Sequence, residues 1–174
     1  MNLKNILAIG CFGALVCAPA FAASNLSKDD KAFLDTIART DMTEAHVGQI
    51  AEQKAEASDV KDFGQQLVQD HTTDYQNLSQ LADKVGEQIP KGIDAKRDKS
   101  IVQLENLKGK SFDRHFLQEE IQGHKRAIAE CKHEAEHGDN VDVKMFATKI
   151  APTLQEHLQK AEDLAKPTST RASR

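Results

Sequence analysis

Cysteine, proline and aromatic side chains are scarce in this chain of 174 residues, which has three Cys, four Pro, one Tyr and no Trp. Two of the cysteines, Cys11 and Cys17, lie in an apolar leader, so Cys131 alone remains beyond it and no internal disulfide can staple the fold. Cys131 falls on the apolar face of its helical pattern and reads as a small buried hydrophobe. There is no Gly-rich phosphate loop, no serine on a nucleophile elbow and no Cys pair, which removes the usual nucleotide, hydrolase and thiol-redox signatures. Without Cys-x-x-Cys-His, covalent haem attachment is excluded as well. Positive residues are scattered among acidic ones at a net charge of −4. They form no basic stripe, which argues against nucleic acid as a partner.

What is present begins with an export signature. Lys4 precedes an apolar run from Ile6 to Ala18, too short for a comfortable membrane span, and Ala20-Phe21-Ala22 is a small-x-small cleavage site. Residues 1–22 are therefore read as a cleavable signal cut after Ala22, giving a periplasmic or otherwise exported protein. Neither Cys11 nor Cys17 has the preceding residues of a lipidation site. No later run is long and apolar enough to cross a bilayer. Residues 23–166 are read as one domain and 167–174, rich in Ser, Thr and Arg, as a disordered tail.

Within the domain, apolar spacing resolves four long helices. The first opens at Ser27, an N-cap followed by Asp29 and Asp30, and carries Phe33, Ile37, Thr40, Glu44, Val47 and Ala51 on one face. Ser58-Asp59 is expected to break it and cap the second helix, whose stripe is Val60, Phe63, Leu67, His71, Leu78, Leu81 and Val85, ending at Gly86. A short join makes these two an antiparallel hairpin. A longer segment, Glu87 to Lys110, contains Ile101, Leu104 and Leu107, the pattern of a short helix on a crossover. The third long helix is expected to open at Ser111, to carry Phe112, Leu117, Ile121, His124, Ile128, Cys131 and Ala135, and to end at Gly138. The fourth carries Val143, Phe146, Ile150, Leu154, His157, Ala161 and Leu164, with Pro152 placed to kink it. The fold class that follows is all-α, a ferritin-like four-helix bundle with one long crossover.

Four positions break the apolar pattern. His71, His124 and His157 occupy leucine-like positions on three helices and Glu44 does so on a fourth, and core positions rarely hold ionisable groups that are not paired or metal-bound. At ~1.5 Å rise per residue, Glu44 and His71 lie within a turn of each other in depth across the hairpin, His124 matches His71, and His157 lies about 5 Å off. Three imidazoles and a carboxylate suit one divalent transition metal, Zn, Cu, Ni or Fe. Asp70 and Asp74, flanking His71, could orient a ligand or join the set. His133 and His137, spaced i, i+4 on the third long helix, form a weaker surface candidate among charged neighbours. His46 and His115 hold no stripe position, and Asp113, about 16 Å along the helix from His124, is placed to cap or pair elsewhere.

Glu44 with Gly48, Phe63 leading to Asp70-His71, Phe112-Asp113-Arg114 followed by His124, and Pro152-x-Leu154-x-x-His157-Leu158 resemble a family of exported ferritin-like bundles, a domain of unknown function often labelled as outer membrane proteins. The resemblance runs from about Asp30 to Leu164 and implies a ferritin-like bundle outside the cytoplasm, with no established activity. A di-iron carboxylate site is not expected, because the positions three before His71, His124 and His157 are Val68, Ile121 and Leu154 rather than Glu. Two functional classes follow. One is an exported bundle binding one transition metal through Glu44, His71, His124 and His157. The other is a non-enzymatic periplasmic bundle, structural or partner-binding, whose buried His and Glu set helix register. The sequence names no reaction and no protein partner, and it leaves both a monomer and a homo-oligomer open.

Overall fold

The computed structural model describes residues 26–167. The signal expected over 1–22 and nearly all of the tail lie outside the described residues. Five helices follow one another: α1 (Lys28–Lys54), α2 (Ser58–Val85), α3 (Ala95–Glu105), α4 (Gly109–His137) and α5 (Val141–Ala165). The chain is an all-α, ferritin-like bundle in which α1, α2, α4 and α5 are the four long helices and the short α3 lies on the crossover. No helix among the described residues is long and apolar enough to cross a membrane.

Two contacts between segments far apart in sequence fix the topology. At one end the Asp113 carboxylate, in the first turns of α4, accepts hydrogen bonds from the backbone N–H groups of Glu56 (2.9 Å) and Ala57 (3.0 Å) at the α1–α2 join. At the other end Asp30 Oδ1, near the start of α1, accepts from Asp139 (3.1 Å) and Asn140 (3.2 Å) in the α4–α5 join. Helices α2 and α4 therefore start at the same end and run parallel, which only a crossover along the bundle can achieve.

Helix ends show how the local sequence is used. Ser27 and Asp30 form a reciprocal capping box at the start of α1. Gly86 closes α2 in the left-handed conformation at φ 71°, which glycine adopts without strain. Ser58-Asp59 does not cap α2. Its N-cap is Ala57, which has no side chain to cap with, and Asp113 of α4 instead holds the Glu56 and Ala57 amides just ahead of the helix. Ser111 likewise is not the cap of α4, which starts two residues earlier at Gly109; the Ser111 hydroxyl instead donates to the Lys108 carbonyl. Helix α5 runs through Pro152, whose ring sits on the exposed face, where water can serve the carbonyl its missing N–H leaves free.

The core has two parts with a polar layer between them. One apolar cluster gathers Phe33, Leu34, Ile37, Leu78, Cys131 and Val143 near the start of α1; the other gathers Val60, Phe63, Leu67, Phe112 and Phe116 near its end. Between them each long helix contributes ionisable side chains that are no more than 8% exposed: Asp41 and Glu44 from α1, His71 from α2, Glu120 and His124 from α4, and His157 from α5. The depth matching expected from the sequence is thus the observed arrangement. The stripes are rotated slightly from expectation. Asp41 rather than Thr40 points inward on α1, and Phe116, Glu120, Ala127 and Glu134 rather than Ile121, Ile128 and Ala135 form the buried face of α4.

Glu134 illustrates a buried charge outside that layer. It is 2% exposed, its Oε1 finds no partner, and a Cβ on Gly138 would lie only 2.1 Å from that oxygen. Gly138 ends α4 at φ −56°, so its role is to leave room for Glu134 rather than to adopt the left-handed cap expected of it. Burial, then the hydrogen bond and charge of Asp30, push the Glu134 carboxyl up to about 7. A group whose folded pKa is raised stabilises the fold fully below its unfolded value of about 4.5 and loses that contribution as pH rises through the folded value. Glu134→Gln, whose amide donates to Asp30 at every pH, is expected to flatten this dependence. Urea unfolding of both proteins from pH 4 to 8 should show the native chain losing roughly 2 kcal/mol relative to the variant across that window.

Candidate metal centre

Three imidazoles converge in the polar layer from three helices. His71, His124 and His157 are at most 1% exposed, with ring centroids 5.6 Å (His71 to His124), 5.3 Å (His71 to His157) and 5.2 Å (His124 to His157) apart. Each offers a nitrogen, and the three nitrogens lie within 4.8 Å of one another.

The hydrogen bonds on the outer side of each ring fix what faces inward. His71 Nδ1 donates to Asp41 Oδ1 at 2.9 Å, His157 Nε2 donates to Asp70 Oδ2 at 2.8 Å, and His124 Nδ1 donates to the Glu120 carbonyl at 2.9 Å. Carboxylates and carbonyls only accept, so each neutral ring spends its one N–H outward. The nitrogens left over, His71 Nε2, His124 Nε2 and His157 Nδ1, face inward, and each is a lone pair whenever its ring is neutral. Two of them, His124 Nε2 and His157 Nδ1, stand 3.2 Å apart, and His71 Nε2 has no partner at all. Facing lone pairs repel unless a cation lies between them. Two nitrogens bound tetrahedrally to one ion at ~2.0 Å are separated by about 3.3 Å, which is close to what is seen.

Electrostatics keep two of these nitrogens unprotonated at neutral pH. Burial pushes His157 down to about 4, against its hydrogen bond to Asp70 and with the charges of His71 and His124 adding to the effect. Burial also lowers His124, against the pull of Glu44. His71 is held above the ordinary imidazole value. Burial opposes this, but the hydrogen bond and charge of Asp41 outweigh it. Asp41 itself is pushed up to about 6 by burial, which its bond to His71 offsets only in part.

Beside the imidazoles lies a pair of carboxyl groups, Glu44 and Glu120, grouped with His124 as a second set of converging donors. Burial, then the charge and contact of Glu44, raise Glu120 well above the carboxylate range. Glu44 stays below it. Burial opposes ionisation there, but the charges of His124 and His71 and the hydrogen bond from Glu120 prevail. The Oε2 atoms of both residues and Asp41 Oδ2 have no hydrogen-bond partner. Such orphaned buried groups cost on the order of 1–3 kcal/mol each, so their concentration in one layer calls for an explanation.

The sequence candidates divide accordingly. His71, His124 and His157 come together, and Glu44 adjoins them through His124. Asp70 flanks His71 in sequence yet holds His157, because successive helical residues point to different neighbours. Asp74 is half-buried near His71, and burial raises its carboxyl. His133 and His137 stack on the solvent face at 4.8 Å, outside both donor groups, with His137 Nδ1 donating to the His133 carbonyl. Two residues of the layer escaped the sequence reading, Asp41 and Glu120. Glu120 lies four residues before His124 on the same face. A search at i−4 as well as i−3 finds it.

The sequence pattern of the domain of unknown function DUF4142 matches residues 16–164. The chain belongs to this family. No curated protein matches the DUF4142 chain in sequence. Solved structures share its fold. A DUF305 fragment from Deinococcus radiodurans superposes with a TM-score of 0.70 at 12% identity, covering 80% of this chain and 97% of that one. A DUF305 protein from Streptomyces coelicolor, named as a secreted one, gives 0.67 at 14% identity over 84% and 94% of the two chains. CopM in its silver-bound form gives 0.62 at 15% identity, covering 76% and 92%. At these identities the likeness establishes the helical fold of the DUF4142 chain.

Proposed function

We propose that this DUF4142 protein is an exported metal-binding bundle that holds one transition-metal ion through His71, His124 and His157, with Glu44 supplying negative charge beside them. The observation that carries this reading is the set of three inward ring nitrogens, each ring anchored on its far side by Asp41, the Glu120 carbonyl or Asp70. Metal-binding histidines almost always have such an outer hydrogen bond, which fixes tautomer and orientation. An all-imidazole donor set suits Cu, Zn, Ni or Fe. Copper is the first ion to test, since CopM, a protein of similar fold, is described in silver-, Cu(I)- and Cu(II)-bound forms. Export is supported by the leader read from residues 1–22 and by the secreted neighbour of the same fold. The bound ion would serve storage, buffering or sensing of the metal.

Elemental analysis of protein purified without a histidine tag, alongside His71→Ala, His124→Ala and His157→Ala, tests this. One ion per chain in the native protein and none in the variants is the expected result. A native protein that binds no Cu, Zn, Ni or Fe ends the reading. The second reading, a bundle whose buried polar residues set register, is favoured by the cross-helix pairs Asp41–His71 and Asp70–His157, which tie α1 to α2 and α2 to α5 without any ion. In that case the alanine variants lose stability and nothing else.

A further inference from the structure

The three imidazoles are sealed from solvent, so an ion must cross part of the protein to reach them. A cleft of about 540 Å³ opens between α1, the short α3 and α4, and its wall includes Thr40, Thr43, Glu44, Ile101, Glu120 and Gly123. Glu44 and Glu120 thus belong to two places at once. They line the cleft, and they group with His124, which in turn belongs to the imidazole set.

Three further observations give this wall a purpose. First, the Oε2 atoms of Glu44 and Glu120 are buried without a donor, on residues that are 8% and 2% exposed. Without an ion the two share a proton, held on Glu120 against Glu44, and a divalent ion in its place would partner both orphaned oxygens. Second, α4 is bare where it passes Glu44: a Cβ on Gly123 would stand 3.2 Å from Glu44 Oε1, so glycine leaves that carboxylate open to the cleft. Third, the charge of the cleft favours a cation. Glu44, Glu119 and Glu130 line it against Lys96 and Arg126, while the third cation of the wall, Arg97, is already paired with Asp94.

We propose that Glu44 and Glu120 form a second, carboxylate cation subsite on the wall of this cleft, through which a divalent ion passes from solvent to the three imidazoles. The passage rests on the imidazole centre proposed above; the subsite itself does not. Oxygen donors hold a borderline or hard divalent ion more loosely than imidazoles hold a transition metal, so the ion moves inward down an affinity gradient. His124, common to both donor groups, stands where the transfer occurs.

Two measurements on the full, untagged protein test the two parts. In stopped-flow mixing with Co2+, followed by its visible absorbance, Gly123→Leu narrows the cleft. It is expected to slow uptake roughly tenfold or more while the final bound absorbance stays that of the native protein. Uptake within roughly twofold of native overturns the passage. In the His71→Ala background, where the imidazole set is broken, Mn2+ titrated against its electron paramagnetic resonance signal is expected to bind at one ion per chain. Adding Glu44→Gln and Glu120→Gln is expected to abolish that binding, with circular dichroism confirming the helical fold of each variant. Mn2+ binding that is absent in His71→Ala, or that survives both glutamines, overturns the subsite. A native protein that takes up no Co2+ overturns the passage, the elemental analysis above decides the imidazole centre, and the Mn2+ result decides the carboxylate subsite alone.

Discussion

Replacing Gly64 with alanine is expected to lower the thermal midpoint by about 10 °C, a destabilisation of about 3 kcal/mol in a domain of this size. Alanine is the better helix former and would gain up to about 1 kcal/mol at an open helical position. At Gly64 that gain is overwhelmed, because the added Cβ would lie 2.7 Å from the Gly48 carbonyl oxygen, 2.9 Å from Ala51 Cβ and 3.0 Å from the Glu52 amide nitrogen. Gly48 faces the same problem in return, its own Cβ falling 2.7 Å from the Gly64 carbonyl. Two backbones in contact cannot yield as a flexible side chain can, so α1 and α2 would have to separate along the hairpin that carries Asp41, Glu44 and His71. Gly92→Ala is the control, since nothing lies within 4 Å of a Cβ there. Equal midpoints for the two variants would show that the α1–α2 contact is not the tight seam described.

Saturating copper or zinc is expected to raise the thermal midpoint of the native protein by about 10 °C. An ion at a thousandfold excess over its dissociation constant contributes about 4 kcal/mol, and each kcal/mol is worth roughly 2–4 °C at this chain length. The midpoint of the His71→Ala, His124→Ala, His157→Ala triple variant is expected not to move. The outer hydrogen bonds give a finer test. Asp41→Asn and Asp70→Asn keep an oxygen acceptor for His71 and His157 but remove its charge, and affinity should fall by about 10–100-fold in titration calorimetry. Affinity unchanged in both would mean that the carboxylates do not orient the ligands, and a native midpoint that no ion moves would leave register as the purpose of the layer.

The bundle was largely legible because its helices obey one rule, an apolar face recurring every three to four residues, and because Ser27, Gly86 and Gly138 mark ends where expected. The three histidines were legible as violations of that same rule. Asp41 and Glu120 were not, for a related reason. Each lies on the buried face one residue aside from the apolar stripe that the sequence suggests, through Thr40 on α1 and through Ile121 on α4, so the stripe passes both by. On α1, Leu34, Ala38 and Asp41 define the better face. The Asp113 cap on the α1–α2 join, the Glu134–Asp30 contact and the Gly48–Gly64 approach were out of reach in principle. They depend on which helices meet at which height, a quantity no local pattern carries.

The division of the core into two apolar halves has a mechanical consequence. Dispersion contacts hold each half together, but where they meet the four helices touch mainly through ionisable groups, several of them orphaned. With few apolar contacts across it, that plane is where local opening is expected to cost least. An ion seated among the imidazoles would act as a rivet through the joint. Its binding would be felt at both ends of the bundle, from the loop stapled by Asp30 to the join capped by Asp113, with no helix having to move.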